Sequence, residues 1–69
     1  MVNEHYKQTE MDPLTAYEQG LLSAAEYRGF IKGNIIKYIY RYEHKGGLND
    51  LLKARDYIGK LIILEQENL

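Results

Sequence analysis

The sequence predicts an all-α protein: a short N-terminal helix and a long antiparallel helical hairpin, assembled as a homo-oligomer. Three observations predict it. Apolar residues recur at helical spacing from Pro13 onward, and no segment alternates as a strand would. Start and stop signals divide that stretch into three helices. The apolar positions then outnumber what three such helices can hide from water.

The first helix opens at Asp12-Pro13, with Asp as N-cap and Pro at the first helical position, and stops at Gly20, a left-handed C-cap. The second opens at Ser23. Glu26 three residues on completes a capping box, and Leu22 and Tyr27 stand where a hydrophobic staple would. It is expected to run to about Lys45, where Gly46-Gly47 end it, and the third helix from Asn49 to about Glu67. Residues 1–11 show no periodicity and read as an arm; residues 12–69 read as one helical domain.

At about 100° per residue, Ile31, Ile35, Tyr38, Ile39 and Tyr42 share one stripe of the second helix. Gly29, Gly33, Ile36 and Tyr40 form another. The third helix has a broad face of Leu51, Ala54, Tyr57, Ile58, Leu61, Ile62 and Leu64, and a second patch of Leu52, Gly59 and Ile63. A glycine inside a helix costs about 1 kcal/mol against alanine. Gly29 and Gly33 therefore suggest close approach of another backbone, an oligomer seam that Gly33→Leu is expected to break.

Composition narrows the function. The chain has 69 residues, no cysteine, and nine Lys+Arg against ten Asp+Glu, a net charge of −1. Disulfides, thiol chemistry and cysteine metal sites are excluded, and a general polyanion binder is disfavoured. No apolar run approaches a membrane span and the start is not a signal peptide, so a cytoplasmic protein without membrane contact is expected. The charge is uneven. Residues 1–22 carry one lysine against four carboxylates, and residues 27–60 carry eight cations against three carboxylates. An anionic ligand is expected at the basic middle.

That middle contains a polar arc on the second helix: Asn34, Lys37, Arg41, His44 and Lys45, with Phe30 one turn upstream. A ring to stack on a base, an amide to read an edge and cations for phosphate suit a nucleotide. Gly46-Gly47 and the N-terminus of the third helix would add N–H groups and a positive dipole end. Lys53 and Arg55 would reach the region from opposite sides. Lys37 and Arg41 lie off the main apolar stripe, so either is expected to tolerate truncation to Ala without loss of the fold. The alternative is a solvated basic face. His5-Tyr6 in the arm is either a free end or a flap over a ligand. Walker, dinucleotide-binding and H-E-x-x-H signatures are absent, and neither cofactor nor metal is expected.

The run Phe30-Ile31-Lys32-Gly33-Asn34-Ile35-Ile36-Lys37-Tyr38, then Arg41, His44-Lys45-Gly46-Gly47, Asp50-Leu51, Lys53-Ala54 and Tyr57 resembles the SaV-like family of small phage and prophage proteins of unknown function. His5-Tyr6 and Pro13 match the start of its pattern, and the resemblance spans about residues 5–64. It implies the cytoplasm of an infected or lysogenic bacterial cell. It also implies a link to nucleotides, because a domain of this type forms part of a longer T7-like phage nucleotide kinase that lacks a Walker motif and forms large oligomers. Carried over by motif, the candidate nucleotide contacts are His5, Tyr6, Asn34, Lys37, Arg41 and Lys45. The expected function is binding of a nucleotide or nucleotide-derived signal in a homo-oligomer, sequestering it from a host defence system. The alternatives are a nucleoside monophosphate kinase-like enzyme and an adaptor that binds a host protein; nucleic-acid binding ranks below these.

Overall fold

The computed structural model describes residues 12–69. The arm assigned to residues 1–11, with His5 and Tyr6, lies outside them. The described residues form α1 (Pro13–Glu18), α2 (Ala24–Arg41) and α3 (Gly47–Glu67), with no strand among them. None of these helices is long and apolar enough to cross a membrane.

The anticipated caps form. The Asp12 carboxylate accepts a hydrogen bond from the Thr15 N–H at 2.8 Å, which holds its carboxyl below the usual range. Gly20 takes φ +83° past the end of α1, and the Gly20 and Leu21 N–H groups donate to the Tyr17 and Ala16 carbonyls at 3.0 and 2.8 Å. The Ser23 hydroxyl accepts from the Glu26 N–H at 3.0 Å, and the Glu26 carboxylate accepts from the Ser23 N–H at 2.8 Å.

The bend between α2 and α3 differs from expectation. α2 stops at Arg41, four residues before Lys45, and α3 starts at Gly47, two before Asn49. The His44 and Lys45 N–H groups both turn back to the Arg41 carbonyl, at 2.9 and 3.0 Å. The cause is Asp50. Its carboxylate accepts from the Gly46 N–H at 2.9 Å and from the Arg41 guanidinium at 3.0 and 3.2 Å, tying the end of α2 to the start of α3. A Cβ on Gly46 would stand 2.3 Å from that carboxyl carbon, so only glycine admits it. Gly47 turns the chain at φ +52°, in the left-handed region that favours glycine.

α2 and α3 pack antiparallel: Arg28 meets Glu65, Phe30 meets Tyr57, and Arg41 meets Asp50. Between them Tyr27, Ile31, Ala54 and Leu64 are buried, together with Asp50. Tyr17 of α1 stacks on Tyr27 with centroids 4.9 Å apart and rings 7° from parallel. The contacts sort the hairpin into two sides. One carries Phe30, Lys37, Tyr38 and Arg41 of α2 with Lys53, Tyr57 and Lys60 of α3. The other carries the Arg28–Glu65 ion pair.

The second α2 stripe faces outward, away from α3. Ile36 and Tyr40 are 66% and 82% exposed, and nothing lies within 4 Å of a Cβ placed on Gly29 or Gly33. No backbone approaches those glycines within the described chain.

The glycines therefore separate into two kinds. Gly46→Ala is expected to lower Tm by about 5 °C or more, by expelling Asp50 from the bend. Gly59→Ala, with open space at its Cβ, is expected to be neutral or to stabilise by up to about 1 kcal/mol. Thermal melts of the two variants check the contrast.

Candidate functional site

Tyr38 is the centre of the site. The Lys37 ammonium lies 4.6 Å from its ring centroid, the Arg41 guanidinium carbon 4.9 Å and the Lys53 ammonium 5.5 Å. Three cations from two helices thus gather on one ring, whose negative face attracts them. Tyr38 stacks on Tyr57 at 6.0 Å and 18°. Tyr57 takes the edge of Phe30 at 6.0 Å, and the Lys60 ammonium lies 4.8 Å from its centroid. Aromatic rings and cations form one continuous tier along this side of the hairpin.

The tier leads into a groove of about 220 Å³ beneath α1, lined by Pro13, Leu14, Tyr27, Phe30, Tyr57 and Lys60 with Asp12 at its rim. A neighbouring groove of about 280 Å³ continues between α1 and the end of α3, past Tyr17, Ile63 and Glu67. Neither includes Lys37 or Arg41; the rings of Phe30 and Tyr57 connect the groove to the cations.

The structure gathers part of the predicted arc. Lys37 and Arg41 meet as expected, and Lys53 joins them. Phe30 is half-buried against the core and borders the groove. The Asn34 amide donates to the Phe30 carbonyl at 3.0 Å, so one of its two N–H groups is committed to its own helix. His44 and Lys45 stand exposed in the bend. Because α2 ends at Arg41, they do not continue its line. Arg55 is exposed and, at about 100° per residue, lies across α3 from Lys53.

Two expectations change outright. The Gly46 N–H is taken by Asp50 and the Gly47 N–H by the Tyr42 carbonyl at 2.8 Å, so neither is offered to a phosphate. The positive end of α3 has no side-chain cap, and the Asp50 carboxylate in its first turn already sets a negative charge there. And Arg41 is no bystander to the fold. It supplies two of the three hydrogen bonds to a carboxylate that is 1% exposed, so truncating it strands a buried charge.

Sequence reasoning placed Tyr38 in the apolar stripe and left Asp50 without a role. The signal for both was present. A bend at Lys45-Gly46 sets residues equidistant from it face to face across the hairpin, Arg41 with Asp50 and Tyr38 with Lys53.

Residues 2–59 match the pattern of DUF3310, described as a protein family of unknown function. The chain belongs to the DUF3310 family. The matched stretch takes in α1, α2 and the bend, and every member of the ring-and-cation tier except Lys60. No curated protein and no solved structure matches the chain.

The Arg41 guanidinium, then the Gly46 N–H, hold the Asp50 carboxyl below its ordinary 3.8 against the opposing effect of burial. A carboxyl depressed in the folded state contributes stability that is complete above its unfolded value and is lost as pH falls through the folded one. Acidification below about pH 4 is therefore expected to lower the wild-type Tm, and Asp50→Asn is expected to flatten that acid limb. At neutral pH Arg41→Ala is expected to melt about 5–10 °C below wild type, and Lys37→Ala within about 2 °C of it. Calorimetry across pH checks all three; equal melting of the two Ala variants would remove the structural role given to Arg41.

Proposed function

We propose that this DUF3310 chain binds a small phosphate-bearing ligand of the nucleotide type on the ring-and-cation side of the hairpin, as an assembly of identical chains. The observation that carries this reading is the convergence of Lys37, Arg41 and Lys53 on the Tyr38 ring. Asp50 is the one carboxylate bonded to any of them among the described residues. Phosphate would settle over the lysines, and a planar base or a sugar would pack along Tyr57 and Phe30 toward the groove. Self-association is supported by the apolar surface left uncovered on the described residues.

Binding without turnover fits better than phosphoryl transfer. A kinase needs a group to hold Mg²⁺ or position the nucleophile. The carboxylate nearest the cations, Asp50, has both oxygens engaged by Arg41 and Gly46. With the resemblance to small phage and prophage proteins, a binder without catalysis is best read as a sequestering protein, one that holds a nucleotide or nucleotide-derived signal of a host defence system.

The test is a thermal-shift screen of the purified protein against nucleoside mono-, di- and triphosphates, cyclic dinucleotides and ADP-ribose derivatives. A ligand at 100 times its Kd is expected to add about 2.7 kcal/mol. Lys37→Ala and Lys53→Ala are each expected to weaken it about tenfold, while Lys32→Ala, exposed on the outer edge of α2, leaves it unchanged. A panel without a single shift, or a shift untouched by both lysine variants, would transfer the function to a protein-binding adaptor.

A further inference from the structure

The ring-and-cation side has two stations. Lys53 lies over Tyr38 with Lys37 and Arg41, and Lys60 lies over Tyr57. Lys53 and Lys60 are seven residues apart on α3, as Phe30 and Lys37 are on α2. Seven residues are close to two turns, so each pair shares a side of its helix with about 10 Å between its members along the axis. Lys60 also lines the groove beneath α1, beside Phe30 and Tyr57, and the three cations on Tyr38 do not. The groove therefore opens at a single cation, and the triple cation stands about two turns beyond it.

We infer that the ligand is a linear nucleoside di- or triphosphate, with its nucleoside in the groove, its first phosphate at Lys60 and its terminal phosphate at Lys37 and Lys53. The assignment rests on the nucleotide reading above and specifies the number of phosphates and the direction in which they run.

Charge gives the direction. Asp12 at the rim of this groove, and Glu18 and Glu67 along the neighbouring one, repel phosphate from the α1 end and leave it to an uncharged nucleoside. At the other end the carboxylate bonded to Arg41, Asp50, is 1% exposed, so it turns no charge toward a ligand over the two lysines. Size gives the division. The groove's volume of about 220 Å³ falls below the roughly 300–1,000 Å³ of a pocket that encloses a whole ligand. It takes a nucleoside and leaves the phosphates outside, on the tier of rings and cations. Length gives the phosphate number. A monophosphate ends at Lys60. A chain of phosphates carries charge onward past Tyr57 to Tyr38, where Lys37 and Lys53 have no carboxylate bonded to them among the described residues. A cyclic dinucleotide holds its phosphates between its sugars, and ADP-ribose ends on a sugar, so neither extends a terminal phosphate to Tyr38.

The experiment is titration calorimetry of the full chain. The panel is the 5′-mono-, di- and triphosphates of adenosine, guanosine, cytidine and thymidine, with inorganic tripolyphosphate, cyclic dinucleotides and ADP-ribose beside them. For the nucleoside that binds, affinity is expected to rise about tenfold or more from mono- to triphosphate, and tripolyphosphate is expected to bind about tenfold more weakly than that triphosphate. Lys37, Lys53 and Lys60 are exposed, so their Ala variants are expected to stay helical by circular dichroism. Lys53→Ala and Lys37→Ala are expected to remove most of the rise and leave the monophosphate unchanged, whereas Lys60→Ala weakens mono- and triphosphate alike. A monophosphate as tight as its triphosphate, a tripolyphosphate as tight as the nucleotide, or a cyclic dinucleotide or ADP-ribose tighter than every linear nucleotide would overturn this assignment and leave the nucleotide-type reading standing. No binding by any member of the panel would overturn that reading itself.

Discussion

Asp50 sets the geometry of the bend. A carboxylate cannot be withdrawn from water unless its charge is answered, and here the answer comes from two directions: the Arg41 guanidinium at the end of α2 and the Gly46 N–H just before α3. Meeting both at once leaves little freedom in how many residues the bend contains or which way it turns. The register of the hairpin follows, and with it the pairing of Tyr38 with Lys53 seven to eight residues from the centre of the bend. A bend one residue longer would rotate Lys53 by about 100° and disperse the cations. Ion pair and site are one piece of architecture.

What the sequence discloses depends on how local the deciding interaction is. The starts of α1 and α2 were legible because Asp12, Ser23 and Glu26 bond to amides three residues away. The end of α2 was not. Glu43, His44 and Lys45 carry no helix-breaking character, and the interaction that stops the helix comes from Asp50, nine residues beyond Arg41. The same limit governs the site. Lys37 and Arg41 could be aligned by periodicity on one helix, whereas Tyr38 as their platform requires the register across two. His44 and Lys45 were aligned by extending a helix that does not extend. The two apolar stripes of α2 were legible; the side of the hairpin that α1 covers was not, since a stacked Tyr17–Tyr27 pair separated by ten residues decides it.

The cation cluster carries an electrostatic cost that the fold only partly offsets. Lys37, Arg41 and Lys53 repel one another around a shared ring. The ring quadrupole returns about 0.5–1 kcal/mol per cation at exposed sites, and of the three cations Asp50 is hydrogen-bonded to Arg41 alone. The two lysines are exposed, so water and salt screen much of the repulsion. Burying them beneath an anion would exchange that screening for direct pairing. Under the proposed function such a site would favour multiply charged phosphates over singly charged carboxylates, and its affinity would fall as ionic strength rises.

α1 contributes no buried residue to the core, although it forms a wall of both grooves. It is held by its caps and by the stacking of Tyr17 on Tyr27. A six-residue helix is far too short to be stable by itself. Its amides belong to the least protected class, opening at a free-energy cost well below that of unfolding the α2–α3 hairpin. The groove consequently has one wall fixed by a packed core and one held largely by a pair of stacked aromatic rings. Were the groove occupied as proposed, local opening of α1 would let its width adjust to occupants of different thickness without disturbing the hairpin that carries the charge.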